Sequence, residues 1–366
     1  MDQRIRRLAA LVLDYSLEVK EGQTVMVSAA TMAEPLVRAL VEASAQRGVH
    51  LISMLNVSDS QYLFFKHAKD ILLDTISPAT IQLFETVDAM IGISCTPNPR
   101  ELSRIEPEKM MRRQKTMRKI YEIIDKREKE GAFRWVAAPY PSPAMAADAE
   151  MSLTQYTDFV FGACDCDLDN PTAHWREVHK KQERIVQKFN GSKTLHIVGK
   201  ETDLTLSVEG RTWVNCDGKK NMPDGEIFTS PVETSAEGTI YYDYPAVFRG
   251  VEVNGVRLTF KAGKVVEATA EKNEAYLLKM LDTDEGARFL GEVAIGTNFH
   301  ITDPSKSILF DEKIGGSMHM AVGLSIPETG GENVSGLHWD MIKDMRDGGR
   351  WELDGKIVYN NGQFKI

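Results

Sequence analysis

The sequence predicts an α/β N-terminal domain with a mostly parallel sheet over residues 1–185, followed by an α+β, mostly antiparallel C-terminal domain over 186–366. Three observations carry this. A chain of 366 residues is longer than one hydrophobic core usually organises. Through residue 165, short and nearly all-apolar strand candidates alternate with helix candidates, the pattern of a parallel sheet covered on both faces. Beyond about residue 190 the texture changes to short strands separated by turn signals.

In the first half, "QTVMVSA" (23–29) reads as a buried strand and "MAEPLVRALVEASAQRG" as the helix that follows it. "VHLISMLNV" (49–57) is the second strand, with a helical stretch around 70–84. "VDAMIGISC" (87–95) leads into a long charged amphipathic segment at 106–130. "FRWVAAPYP" (133–141) completes the strands, and a further helix falls near 151–163. Such a βα series implies right-handed crossovers.

A charged helical connector at 172–190 precedes the strand candidates "TLHIVG", "DLTLSVEG" and "TWVNCDG". "TIYYDYPAVF" and the hairpin-like "VEVNGVRLTFKAGKVVEATAE" follow, with Asn254-Gly255 and Ala262-Gly263 where tight turns belong. A helix over roughly 272–288 interrupts the series. The chain closes on "WELDGKIVYNNGQFKI", with two more turn signals between short strands.

Composition excludes several function classes. A formal charge of −9 argues against nucleic-acid binding, which needs a concentrated basic surface. The basic run at 109–130 interleaves acids with apolar residues at helical intervals, and reads as a solvated helix face. No apolar run reaches membrane-spanning length. The N-terminus lacks the pattern of a secretory signal, so a cytoplasmic protein is expected. Cys95, Cys164, Cys166 and Cys216 are scattered as reduced thiols would be, and "CDC" has no second pair to complete a zinc knuckle. There is no G-x-G-x-x-G after the first strand, no phosphate loop and no G-x-S-x-G nucleophile elbow.

The chemistry-bearing residues lie in the second half. In "SGLHWDMI", His338 and Asp340 flank a tryptophan; on an extended strand they share a face while Trp339 packs on the other. His319 sits in the apolar, glycine-flanked "GSMHMAVG". Glu292 interrupts the apolar "FLGEVAIGTN", and Glu226 opens a strand-like segment in "MPDGEIFTSP". "LFDEKIGG" adds Asp311 and Glu312. Carboxylates are rarely buried without a partner, so acids embedded in apolar strands point to a nearby cation. Five or six such groups suit two divalent ions, and the mixed nitrogen and oxygen set suits zinc, cobalt or manganese.

The successive segments "MPDGEIFTSP", "LGEVAIGTN", "LFDEKIGGSMHMAVG" and "SGLHWDMIKDM" resemble, in order, the motifs of the aminopeptidase T and S metallopeptidases. Weaker likeness at "TPNPRELSRIEPEKM" and "PSPAMAADAEMS" extends the resemblance over most of the chain. By that resemblance Glu226, Glu292, His319, His338 and Asp340 match the family's metal ligands. Glu312 falls near a further acidic ligand, seven residues before His319 where five are expected. The resemblance also implies an α/β domain joined to a metal domain, and a homodimer enclosing the active sites. One position departs: Ile326 stands before Pro327 where the family has a tyrosine, and isoleucine has no hydroxyl to donate. Tyr241, Tyr242 and Tyr244 are the candidates to replace it.

The resemblance implies an aminopeptidase acting on short peptides, with two divalent ions activating water and Glu292 or Glu312 shuttling the proton. Two rival readings use the same residues. His319, His338 and Asp340 make the two-His-one-carboxylate set of an iron oxygenase, and ring-cleaving dioxygenases resemble this fold. That reading leaves Glu226 and Glu292 idle. A chain that kept the metal site and lost turnover with the tyrosine would be a binding protein.

Overall fold

The computed structural model describes residues 2–365, which divide into two compact units. One comprises the chain up to Thr172 together with Lys219–Met222, and the other Ala173–Gly218 together with Pro223 onward.

The first unit is built on four parallel strands, β1 (Thr24–Ala30), β2 (His50–Asn56), β3 (Ala89–Ser94) and β4 (Arg134–Pro139), in the order β2-β1-β3-β4. Helices Glu34–Gln46 and Pro107–Lys129 are among its crossovers. Val25, Val27 and Ile91 are fully buried on the central strands β1 and β3, as their apolar runs require, and so is Val136 on β4. Two expectations need correction. β2 is not buried on both faces: Ile52 is 38% exposed, Met54 45% and Leu55 43%, because the strand lies at the sheet edge. The helix expected over 70–84 is two, Asp70–Asp74 and Pro78–Thr86. Pro78 disfavours helical backbone at Ser77 and starts the second helix in its own first turn.

The second unit stacks two antiparallel sheets. Its strands are β5 (Thr194–Gly199), β6 (Thr202–Ser207), β7 (Val214–Cys216), β8 (Glu226–Thr229), β9 (Glu237–Tyr242), β10 (Ala246–Phe248) and β11 (Val251–Val253). They continue as β12 (Val256–Lys261), β13 (Lys264–Thr269), β14 (Leu290–Gly296), β15 (Ser317–Gly323), β16 (His338–Asp344), β17 (Arg350–Leu353), β18 (Lys356–Asn360) and β19 (Gln363–Phe364). The large sheet runs β13-β12-β9-β6-β5-β17-β18-β19, and the smaller runs β16-β15-β14-β8-β7. Leu195, Ile197 and Leu204 of the large sheet share one apolar core with Ile227, Val293, Ile295, Met318 and Met320 of the small one. Trp339 faces this core against the Phe248 ring at 5.4 Å and the Tyr276 ring at 6.2 Å.

The turn at Ala262-Gly263 joins the paired strands β12 and β13 as expected. Asn254-Gly255 does not make a hairpin, because β11 pairs back onto β10 while β12 pairs with β9. The tight turn of that hairpin is Arg249-Gly250, both at positive φ. The helix expected at 272–288 ends at Leu281. Beyond it the Asp284 carboxylate accepts the Gly286 N–H at 3.1 Å and the Gly336 N–H at 2.6 Å, so side-chain bonding replaces the helical ladder. No helix among the described residues is long and apolar enough to cross a membrane.

Trp339→Ala empties the centre of the second unit's core and is expected to destabilise it by about 3–5 kcal/mol. A urea transition followed by circular dichroism checks this; an unchanged midpoint contradicts the packing described.

Candidate metal centre

The small sheet divides its two faces by alternation. Ile227, Val293, Ile295, Met318, Met320 and Trp339 face the core. The intervening positions, Glu226, Glu292, His319, His338 and Asp340, therefore share the opposite face. Register brings them into rows: Glu292 pairs with Ala321 and Ala321 with Asp340, while Ala294 pairs with His319. His338 lies opposite Gly323 and Glu226 opposite Gly296. On one side of each polar side chain the paired residue is thus alanine or glycine, which leaves room above the sheet, while Ile342 pairs with His319 and Cys216 with Glu226 on the other.

Two backbone features aim the acids. β14 carries a bulge between Leu290 and Glu292, which shifts the alternation so that Glu292 joins this face. The residue inside the bulge is Gly291, where a Cβ would stand 2.2 Å from the Leu324 carbonyl oxygen. At Gly296 a Cβ would meet the Ile314 carbonyl oxygen at 2.3 Å, so this glycine lets the Glu312–Ile314 loop lie close against the sheet. The loop is pinned there: the Asn298 N–H donates to the Lys313 carbonyl at 3.0 Å and the Gly315 N–H to the Asn298 carbonyl at 2.8 Å. Glu312 consequently reaches the centre despite its seven-residue spacing from His319.

The six sequence candidates gather in two groups of three. Glu226, Glu312 and His319 offer ligand atoms within 4.8 Å of one another, and so do Glu292, His338 and Asp340. Glu292 stands between the groups, with Oε1 3.5 Å from His319 Nε2 and Oε2 3.4 Å from His338 Nε2. His319 Nε2 is 3.3 Å from Glu226 Oε2, and His338 Nε2 is 3.6 Å from Asp340 Oδ1. Ligands at about 2.1 Å from a tetrahedral ion stand roughly 3.4 Å apart, so these gaps suit an ion between donors better than direct hydrogen bonds. Glu226 Oε2 and Asp340 Oδ1 are buried without a hydrogen-bond partner. Such acceptors require a cation, and the donor set fits one. His338 Nδ1–H donates to the Leu324 carbonyl at 2.8 Å, which leaves the Nε2 lone pair facing Glu292 and Asp340.

The sequence profile of the family described as "Thermophilic metalloprotease (M29)" matches residues 1–364. This chain belongs to that family. The M29 chain is therefore a peptidase hydrolase that depends on divalent metal. It is 29% identical to Aminopeptidase 2 of Geobacillus stearothermophilus, over 92% of this chain and 87% of that one. It is 30% identical to Aminopeptidase T of Thermus aquaticus, over 80% and 77% respectively. The solved structure of wild-type AmpT from Thermus thermophilus superposes with a TM-score of 0.86 at 26% identity, covering 99% of both chains. The likeness includes both the parallel-sheet unit and the antiparallel one.

The M29 chain's own charges show how strongly the centre demands positive charge. Burial opposes a charged His338, yet Asp340 and Glu292 override it and raise its pKa to about 11. Burial likewise opposes a charged His319, which Glu292 and Glu226 nevertheless raise to about 9. Burial pushes Glu226 up to about 8 despite Lys313 nearby. Glu312 is also raised by burial. Glu292 is held below the ordinary carboxylate range: burial opposes this, but His319 and His338 on its two oxygens prevail.

The two histidines fall in different groups, so the two-His-one-carboxylate arrangement of an iron oxygenase is not what the side chains make. Asp311, adjacent to Glu312, is turned away and accepts from the Ser305 N–H at 2.6 Å and hydroxyl at 2.7 Å. Of the three tyrosines, Tyr241 donates to Glu271 at 3.3 Å and Tyr244 to Asp344 at 3.1 Å. Tyr242 is fully buried, its hydroxyl has no hydrogen-bond partner, and its pKa is raised by burial and by Asp340. Ile326 is half-buried after β15, its N–H donating to Ser230 Oγ at 3.3 Å.

Sequence reasoning missed Lys313, Asp224 and Cys216. Lys313 is fully buried, with Nζ hydrogen-bonded to Glu312 and 3.8 Å from Glu226 Oε1. Asp224 and Cys216 form a third group with Glu226, and burial raises Asp224 to about 7. The signal was present for Lys313: a lysine between an acid and an Ile-Gly-Gly turn leading into an apolar strand.

Gly291→Ala is expected to push β14 off the Leu324 carbonyl and turn Glu292 away, lowering zinc affinity about 10–100-fold with the circular dichroism spectrum preserved. Unchanged affinity in a zinc titration would show that the bulge does not aim Glu292.

Proposed function

We propose that this chain is a metal-dependent aminopeptidase that removes N-terminal residues from short peptides at a centre of two divalent ions, zinc, cobalt or manganese. The observation that carries the reading is the pair of three-donor groups with Glu292 between them, one oxygen toward each histidine. In this reading Glu226, Glu312 and His319 hold one ion and Glu292, His338 and Asp340 the other. When bound, the ions supply Lewis acidity toward the scissile carbonyl and lower the pKa of the attacking water.

The chain's own residues do the rest. Glu292, with one oxygen toward each histidine, stands between the two groups and would orient their ligands. Glu312 is the proton carrier: its side chain is 16% exposed against 6% for Glu292, and it takes the water's proton and passes it to the leaving amine. His338 is fixed in one tautomer by the Leu324 carbonyl, which keeps its Nε2 available throughout the cycle. Ile326 brings no phenol to the reaction. Tyr242 is a member of the apolar core and makes no hydrogen bond to the centre. Exposed Ile52, Met54 and Leu55 on edge strand β2 support a homodimer.

Chelator-stripped protein is expected to release no leucine from a leucyl peptide, and to regain turnover with zinc, cobalt or manganese. Absence of turnover at full metal occupancy would move the function to metal-dependent binding without catalysis. With saturating metal, Glu312→Gln is expected to lower kcat by roughly 10²–10⁴-fold. Full turnover in that variant would remove Glu312 from proton transfer.

A further inference from the structure

Buried lysines in this chain come in two kinds. Lys343 is fully buried and donates to the Lys200 carbonyl at 3.0 Å, the Tyr241 carbonyl at 3.0 Å and Asp243 at 3.2 Å, a complete set for an ammonium. Its role is architectural. Lys313 is also fully buried, but it donates to Glu312 and lies 3.8 Å from Glu226 Oε1. Both are members of the same three-donor group. Its backbone is held by the Phe310 carbonyl, which accepts the Lys313 N–H at 3.0 Å, and by Asn298, so the side chain has no simple retreat to solvent.

The other group differs. Among the described residues no lysine or arginine is ion-paired to Glu292, His338 or Asp340, whose close ionic neighbours are the two histidines. One group therefore shares two carboxylates with a built-in cation at close range, whereas Lys313 reaches the other group only through space, at Asp340. An ammonium on a carboxylate withdraws charge from any further cation that the carboxylate meets, and a buried ion pair is costly to break.

We propose that Lys313 makes the two ion positions unequal: the Glu292/His338/Asp340 position holds its ion tightly, and the Glu226/Glu312/His319 position binds its ion weakly, in competition with the lysine. This rests on the two-ion reading above and deepens it. The second ion is then the exchangeable one, present at working metal concentration and lost on dilution.

The test is a titration of the chelator-stripped full chain with zinc alone, followed by calorimetry and by elemental analysis after gel filtration. The wild-type chain is expected to keep one ion per chain through filtration and to bind the second roughly 100-fold more weakly. Lys313→Met, which keeps length and removes charge, is expected to strengthen the second step and bring the two within roughly tenfold. His338→Ala is expected to abolish the tight step. Two equally tight ions in the wild-type chain overturn the inference and leave the two-ion centre standing. So does a gap that is unchanged or wider in Lys313→Met, the result expected if the lysine merely positions Glu226 and Glu312. No zinc bound by either protein would remove the metal centre itself, and this inference with it. Should Lys313→Met fail to fold, Lys313→Gln carries the same comparison, and the wild-type stoichiometry decides independently.

Discussion

Three largely buried carboxylates on one face of a sheet, with a fourth on the loop above it, are stable only with positive charge among them. That constraint organises the second unit. Glu226 and Glu292 are 5% exposed, and such acids would stay protonated or unfold the strand if they stood alone. Histidines raised well above their ordinary range and a buried lysine are the protein's own response. Divalent cations are the stronger one. Glu226 Oε2 and Asp340 Oδ1 face those histidines at 3.3 Å and 3.6 Å without a hydrogen bond, which leaves them acceptor capacity for an ion.

The sheet satisfies this demand by dividing its labour. One face gives its bulk to the apolar core, with Met318, Met320 and Trp339 packed against the larger sheet. The other face gives its volume away, setting Ala294, Gly296, Ala321 and Gly323 beside the acids and histidines. A single bulge at Gly291 corrects the phase of β14 so that Glu292 joins the right face. The loop bearing Glu312 and Lys313 lies over the same face because Gly296 has no side chain to hold it off. The core supplies the rigidity, and the glycine and alanine positions supply the room.

Much of this was legible in the strands. Period-two alternation places His338 and Asp340 together and sends Trp339 the other way, and the same rule embeds Glu292 and His319 in apolar runs. The parallel sheet of the first unit follows from its apolar segments and their spacing. Failures occurred where a local signal met a nonlocal competitor. Asn254-Gly255 has the chemistry of a hairpin turn, but β11 and β12 are drawn to different partners. β2 has the composition of a buried strand and lies at an edge, since position in the sheet order is not written in the strand itself. Glu312 has irregular spacing, yet the folded loop delivers it to the centre.

By itself, the sequence determined the fold class, the residue types at the centre and the face on which each strand presents them, because period and residue chemistry are local properties. It also identified Ile326 as a position without a hydroxyl. Tertiary structure alone decided that the six candidates form two groups rather than one, that the histidines are divided between them, and that Lys313 sits inside only one. Those outcomes depend on strand register, on one bulge and on the approach of a loop. They are distances between segments far apart in the chain, which no local pattern encodes.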